Sequence, residues 1–321
     1  MTVALLFSPQ GSQSVGMGRE LAAISPAASA VFRQADEALG WSVSSLAWDG
    51  PEEELNHTRQ TQPCLVTTSI ACLRALEEEL DGMGETLAPA FVAGHSVGEY
   101  AALVAAGALS VADAVRLVAR RGELMANARV SGGMVAVIGL DRDAVAVVVS
   151  SLGLGSDLVV ANDNAPGQVV ISSMPDALAA AATPLRAAGA RRSIPLNVSG
   201  PFHSPHMVAI GAELARALAT AEWHDAEPPV VSNVTAGPVR DAAEIRDLLG
   251  RQVYSPVEWA RSVRRMVADG VDTFVECGPG NALAGMVRRI VPSARTLNVS
   301  DPASLAAAAD ALAGAAVRVS A

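Results

Sequence analysis

In Gly94-His95-Ser96-Val97-Gly98 a serine stands between two glycines, after an apolar run at 91–93 and before a helical pattern at 97–106. This is a GxSxG nucleophile elbow in the context it requires, a strand turning sharply into a helix. Small residues are needed because the serine occupies a strained turn, around which the strand and helix backbones approach closely. The helix N-terminus then presents free N–H groups to an oxyanion formed on an acyl carbonyl. Ser96 with Glu99 three residues later also fits a capping box, but a cap explains neither the two glycines nor the apolar run before them. Glu99 is read as a structural partner.

A serine hydroxyl is a weak nucleophile until a base takes its proton. All 23 basic residues are arginines, which removes Ser-Lys dyads, Schiff bases and P-loop lysines. Of the five histidines, His95 adjoins the nucleophile and should point away, His57 lies in a polar segment, and His224 follows Trp223 in an acidic stretch. His203 and His206, in Gly200-Pro201-Phe202-His203-Ser204-Pro205-His206, sit in a Pro- and Gly-ordered loop downstream, and chemistry alone does not separate them. Arg120-Arg121, on a helical pattern, is a solvated face or, if one guanidinium is buried, a two-pronged carboxylate clamp.

The elements that must position these groups alternate along the chain. Apolar runs at 3–7 and 91–93 read as buried strands. Helical patterns cover 29–39, 62–80 with Pro63 in the first turn, 97–106, and a stretch capped by Ser110 that runs to about 128. Beyond Gly132-Gly133 the texture changes to a strand at 134–138, a helix at 141–151, strands at 158–161 and 169–172, a helix at 175–188 and a strand at 192–196. That βαββαβ order is the ferredoxin-like split motif. Strands at 230–233 and 273–276, a helix at 281–290 and an Ala-rich helix from Ser304 complete the pattern. The fold class is therefore α/β: a large α/β-hydrolase-like domain with a parallel sheet, formed by 1–128 and 198–321, with a small ferredoxin-like subdomain inserted at 129–197.

Composition narrows the function classes. Half the chain is apolar and 17% is charged, as in a compact enzyme. A net charge of −10 argues against a nucleic-acid binder. Three cysteines without a CxxC pair suggest neither a disulfide framework nor a zinc cage. The apolar start lacks a basic leader region, and no long uncharged apolar run occurs, so the expected location is cytoplasmic with no membrane span.

Several motifs together resemble a known family, the malonyl-CoA:acyl carrier protein transacylases, including free-standing (trans-acting) acyltransferases of polyketide synthases. They are Gln10-Gly11-Ser12-Gln13, Gly94 to Tyr100, Arg121-Gly122 with Met125, Asn162 to Gln168, Phe202-His203, Gln252 before Pro256-Val257-Glu258-Trp259, and Glu276 to Gly280, in the family's order across nearly the whole chain. The resemblance implies Ser96 as nucleophile and His203 as its base, supported by a backbone carbonyl near Gln252. It further implies an oxyanion hole from the N–H groups of Gln10 and Val97, Arg121 as carboxylate anchor, and Asn162 and Gln252 shaping the substrate site. Phe202 before the histidine resembles the malonyl-selective pattern. One departure stands out: the family's Phe-Pro-Gly-Gln-Gly-Ser-Gln reads Phe7-Ser8-Pro9-Gln10-Gly11-Ser12-Gln13 here. Proline has φ of about −65° and no N–H, so a loop that needs φ > 0 at that position must bend differently.

The implied activity is transfer of a malonyl-type unit from coenzyme A to the phosphopantetheine thiol of an acyl carrier protein, by a ping-pong Ser-His mechanism in polyketide or fatty-acid biosynthesis. Malonyl-CoA or a related acyl-CoA and the carrier protein are the implied partners, with no metal or other cofactor, nucleic acid or membrane. The alternatives are a serine hydrolase or thioesterase of acyl thioesters, since an elbow and its base do not by themselves select a thiol over water, and a non-catalytic docking subunit.

Overall fold

The structure, a computed structural model, describes residues 1–128 and 130–316. Arg129, where the expected insert begins, and 317–321, the end of the last expected segment, lie outside the described residues. Ten strands form two sheets among the described residues: β1 (Val3–Phe7), β2 (Phe91–Gly94), β3 (Gly133–Ile138), β4 (Leu158–Ala165), β5 (Gln168–Ser173), β6 (Arg192–Pro195), β7 (Val230–Val231), β8 (Pro238–Val239), β9 (Thr273–Cys277) and β10 (Arg295–Val299).

The larger sheet has the order β10-β9-β1-β2-β7-β8. All neighbours are parallel except β7 with β8. Every residue of β1 and β9 is buried, because helices cover both faces, as parallel sheets require. Alternation along β1 divides the core. Val3, Leu5 and Phe7 face the helix Thr58–Gly82 and its neighbours, while Ala4 and Leu6 face Trp259, Val263, Leu283 and Val287.

The smaller sheet, β4-β5-β3-β6, is antiparallel and carries the helices Arg142–Ser151 and Pro175–Ala187 over a core of Val137, Val145, Leu158, Val169, Ile171 and Leu185. Its strand order and βαββαβ connectivity are those of a ferredoxin-like unit. β4 runs past the expected end at 161, paired with β5 as far as Ala165 opposite Gln168, and the large body adds a bridge on its other side: Val257 N donates to Ala161 O at 2.8 Å, and Asp163 N to Val257 O at 3.0 Å.

Two helix starts lie about a turn earlier than read: Pro26, behind the Ser25 cap, for the helix read at 29–39, and that of the helix read at 62–80. The second begins at Thr58, so Pro63 lies inside it. The extra turn is held by His57 O, which accepts from Gln60 N and Thr61 N at 2.8 Å, and by Thr61 Oγ1, which donates to Leu55 O at 2.5 Å. Pro63 forfeits only the intrahelical bond to Arg59 O. β8 and β10 had no signal in the periodicity.

The elbow depends on three backbones meeting. A Cβ at Gly94 would overlap the Gly98 carbonyl, and one at Gly98 would overlap Phe7 O of β1. The obstructing atoms are backbone and cannot move aside. Gly98→Ala should therefore lower unfolding free energy by about 3 kcal/mol or leave the chain insoluble. A denaturation midpoint equal to that of the parent would show that the contact yields.

Candidate active site

Ser96 follows β2, in register with β1 so that Phe7 pairs with Gly94, and it opens the helix Gly98–Ala105. Its φ is +52°, a left-handed conformation that costs a non-glycine residue of order 1 kcal/mol. Asn233, just beyond β7, holds the turn: Ser96 N donates to Asn233 Oδ1 at 2.7 Å, and Asn233 Nδ2 donates to Gly94 O at 2.6 Å.

Of the two histidines left open by chemistry, His203 reaches the serine. Its Nε2 lies 2.8 Å from Ser96 Oγ. Nδ1 faces two carbonyl oxygens, Gln252 O at 2.9 Å and Ser255 O at 3.2 Å. Both can only accept, so Nδ1 carries the proton and Nε2 presents its lone pair to the hydroxyl. Burial, with the charge of Arg121 next in effect, pushes the imidazole pKa down to about 3. His203 too has positive φ, +57°, in a loop tied down by its own N–H to Val253 O at 2.9 Å. His206 is half-buried and contacts Asp157 O instead. His95 turns away from the serine, with Nε2 2.8 Å from Asn164 Oδ1 and its ring 5.5 Å from that of Trp259.

Arg121, on the helix Val111–Ala126, is 1% exposed, whereas Arg120 lies at the surface paired with Glu123. Arg121 Nη2 donates to Ser96 Oγ and to Gln252 Oε1, each at 3.0 Å, and Nη1 donates to Gln62 Oε1 at 2.8 Å. Its Cζ stands 6.0 Å from the Tyr100 ring centroid. Burial lowers its pKa, yet guanidinium is protonated over the whole physiological range. A cationic fork thus shares the serine hydroxyl with the histidine.

The loop after β1 brings Gln10 to the same sheet edge as Val97, each three residues beyond the paired Phe7 and Gly94. Neither N–H donates to protein among the described residues. The Gln10 side chain anchors the loop through Nε2 to Thr58 Oγ1 at 3.3 Å. Pro9 is accommodated because the left-handed residue is Gly11, φ +98°, in a turn closed by Ser12 N to Pro9 O at 3.3 Å. Phe202 is buried directly before His203. Asn162 lies in β4 beside Val257, with no side-chain hydrogen bond to Ser96, His203 or Arg121 among the described residues; the amide of that strand that reaches the elbow is Asn164.

Three supporting side chains escaped the sequence reading. Gln62 was placed only as a helix start, Asn164 only within a motif and Asn233 only as a strand end. Position at the carboxyl end of a parallel strand was the signal available for Asn233.

Residues 4–310 match the family model described as acyl transferase domain. The chain is 44% identical over 306 residues to malonyl CoA-acyl carrier protein transacylase of Bacillus subtilis (strain 168), covering 94% of this chain and 95% of that one. To the protein of that name from Escherichia coli (strain K12) it is 42% identical over 307 residues, 95% and 98% of the two chains. Among solved structures, an acyl carrier protein S-malonyltransferase from Vibrio cholerae superposes with a TM-score of 0.90 at 40% identity, covering 96% of this chain and all of that one. A malonyl-transacylase solved in complex with its type II PKS acyl-carrier protein superposes with a TM-score of 0.91 at 39% identity, covering 97% and 99%. With its elbow, its histidine and its buried arginine in one cluster, and with this match over nearly its whole length, the chain belongs to the acyl transferase domain family.

Proposed function

We propose that this protein transfers a malonyl-type group from coenzyme A to the phosphopantetheine thiol of an acyl carrier protein through an acyl-enzyme on Ser96. The observation that carries the reading is the convergence of His203 Nε2 and Arg121 Nη2 on one serine hydroxyl. The base explains why Ser96 attacks a thioester; the buried cation explains why the acyl group bears a carboxylate. The names of the relatives support this reading and lend nothing to the hydrolase or docking-only alternatives.

In the cycle His203 takes the Ser96 proton at Nε2 as Oγ attacks the thioester carbonyl. The Gln252 and Ser255 carbonyls stabilise the imidazolium formed, in the place an Asp takes in a full triad. The free N–H groups of Gln10 and Val97 receive the oxyanion. His203 then protonates the departing thiolate. In the second half the carrier thiol gives its proton to His203 Nε2 as its sulfur attacks the acyl-ester carbonyl, and His203 returns that proton to Ser96 Oγ as the ester bond breaks. Meanwhile Arg121 holds the malonyl carboxylate in a bidentate grip, and Phe202 limits the room for a branch beside it. Nucleophile, base and counter-charges all come from the chain, so the cycle invokes no metal or other cofactor. No helix among the described residues is long and apolar enough to cross a membrane.

Ser96→Ala should give no malonyl adduct by intact-mass measurement while still folding; an adduct on the variant removes Ser96 from the nucleophile's role. In Arg121→Ala the malonyl-to-acetyl ratio of kcat/KM should fall at least about tenfold, because only the malonyl group loses a charged partner. An unchanged ratio leaves the carboxylate without its anchor. A histidine titrating at about 6.5 would lose about 30-fold of its neutral form between pH 8 and pH 5. With the pKa of His203 pushed down to about 3, Ser96 acylation by acetyl-CoA should instead fall less than about threefold over that range. An inflection near pH 6.5 that persists in Glu99→Gln would contradict a base held neutral by burial.

A further inference from the structure

Glu99 takes no part in this cycle, yet its buried carboxylate stands where the supports of the site meet. Oε2 accepts from Gln252 Nε2 at 2.5 Å and from Asn233 N at 3.4 Å. The opposite end of each partner reaches the reacting groups. Gln252 Oε1 accepts from Arg121 Nη2 at 3.0 Å, and Gln252 Nε2 also donates to Ser96 O at 3.0 Å. Asn233 holds the Ser96 N–H and the Gly94 carbonyl.

Arg121 forms no ion pair among the described residues. Glu99 is joined to it through a single amide. A primary amide between an obligate donor and an obligate acceptor has one allowed orientation. Guanidinium only donates and a carboxylate only accepts, so Oε1 must face Arg121 and Nε2 must face Glu99. A full negative charge on the far side of the amide also makes its oxygen the stronger acceptor.

We propose that Glu99 is a positioning residue for carboxylate selectivity: through the Gln252 amide it fixes the Arg121 guanidinium beside Ser96 Oγ. The proposal rests on the reading of Arg121 as the anchor of the malonyl carboxylate. Burial pushes the Glu99 pKa up to about 7, against the bonds from Gln252 and Asn233 and the charge of Arg121. The other titratable group facing it is Tyr100, whose hydroxyl burial keeps neutral. The carboxylate form therefore prevails at pH 8.

The test is kcat/KM for Ser96 acylation by malonyl-CoA and by acetyl-CoA at pH 8, in the parent, Glu99→Gln, Gln252→Leu, the double variant and Arg121→Ala. Glu99→Gln exchanges a charged hydrogen bond for a neutral one and should lower the malonyl-to-acetyl ratio about fivefold to tenfold. Gln252→Leu keeps the backbone carbonyl that holds His203 and should lower the ratio at least as much. The double variant should be no worse than the larger single, because both break one chain of contacts. If Glu99→Gln does not fold, Glu99→Asp, which keeps the charge but withdraws it from the Gln252 amide, is read in its place, and an unchanged ratio there or in Gln252→Leu overturns the proposal. A Glu99 that merely braces the elbow would slow both thioesters in equal proportion and leave the ratio unchanged, which overturns the proposal. A raised ratio, the mark of a charge competing with the substrate, overturns it too. If Arg121→Ala loses the ratio while Glu99→Gln and Gln252→Leu keep it, the relay alone is wrong. If Arg121→Ala keeps it, the anchor reading and the proposal fall together.

Discussion

A guanidinium buried without a carboxylate in contact with it must be met by oriented dipoles, and the arrangement around Ser96 follows from that demand. The two terminal nitrogens of Arg121 donate to the Gln62 and Gln252 amide oxygens and to Ser96 Oγ, while its buried Nε has no partner among the described residues. Each acceptor comes from a different part of the chain. An uncompensated buried cation costs several kcal/mol, so the helix Thr58–Gly82, the elbow and the end of the helix Ala242–Gln252 are held to one mutual geometry. The same charge acts on its neighbours. Together with burial it keeps His203 neutral, and it draws down the pKa of Glu99, which burial raises.

Gln252 joins the two halves of the chemistry. Its side chain holds the arginine and its backbone carbonyl holds the histidine. A shift of this one residue would move both the Arg121 guanidinium and the His203 imidazole away from Ser96 Oγ. His203 thereby has its tautomer set without an acid, since carbonyl oxygens that cannot donate define which ring nitrogen carries the proton. Parallel strands supply the rest of the order. β1, β2 and β7 end at one edge, so the loop of Gln10, the elbow and Asn233 meet there although they lie far apart in sequence.

Local chemistry made much of this legible. The GxSxG spacing, flanked by an apolar run and a helical pattern, marks Ser96 because no other residue type tolerates the contacts now seen at Gly94 and Gly98. The βαββαβ pattern marks the smaller sheet because periods of two and 3.6 alternate cleanly over that stretch. The turn at 58–61 was not legible, since side-chain bonds from Thr61 hold it against the reading of Pro63 as a start signal. The two edge strands β8 and β10 were equally hidden. β8 is two residues long and β10 lies mostly near the surface, so neither leaves a period to read.

What the sequence by itself determined is the set of groups available: a serine on an elbow, histidine as the only strong side-chain base, and arginine as the only permanent cation. Those are matters of residue type and short spacing, expressed in local backbone conformation. Residue type and spacing left open which histidine meets the serine, which of two adjacent arginines is buried and which amides line the arginine; the family motifs implied His203 and Arg121, and the physical reason lies in the tertiary structure. Contacts across 107 positions between Ser96 and His203, and 131 between Arg121 and Gln252, depend on the register of packed helices and strands. No local pattern encodes that register. It emerges only when the parallel sheet is covered on both faces and the polar groups left inside must find one another.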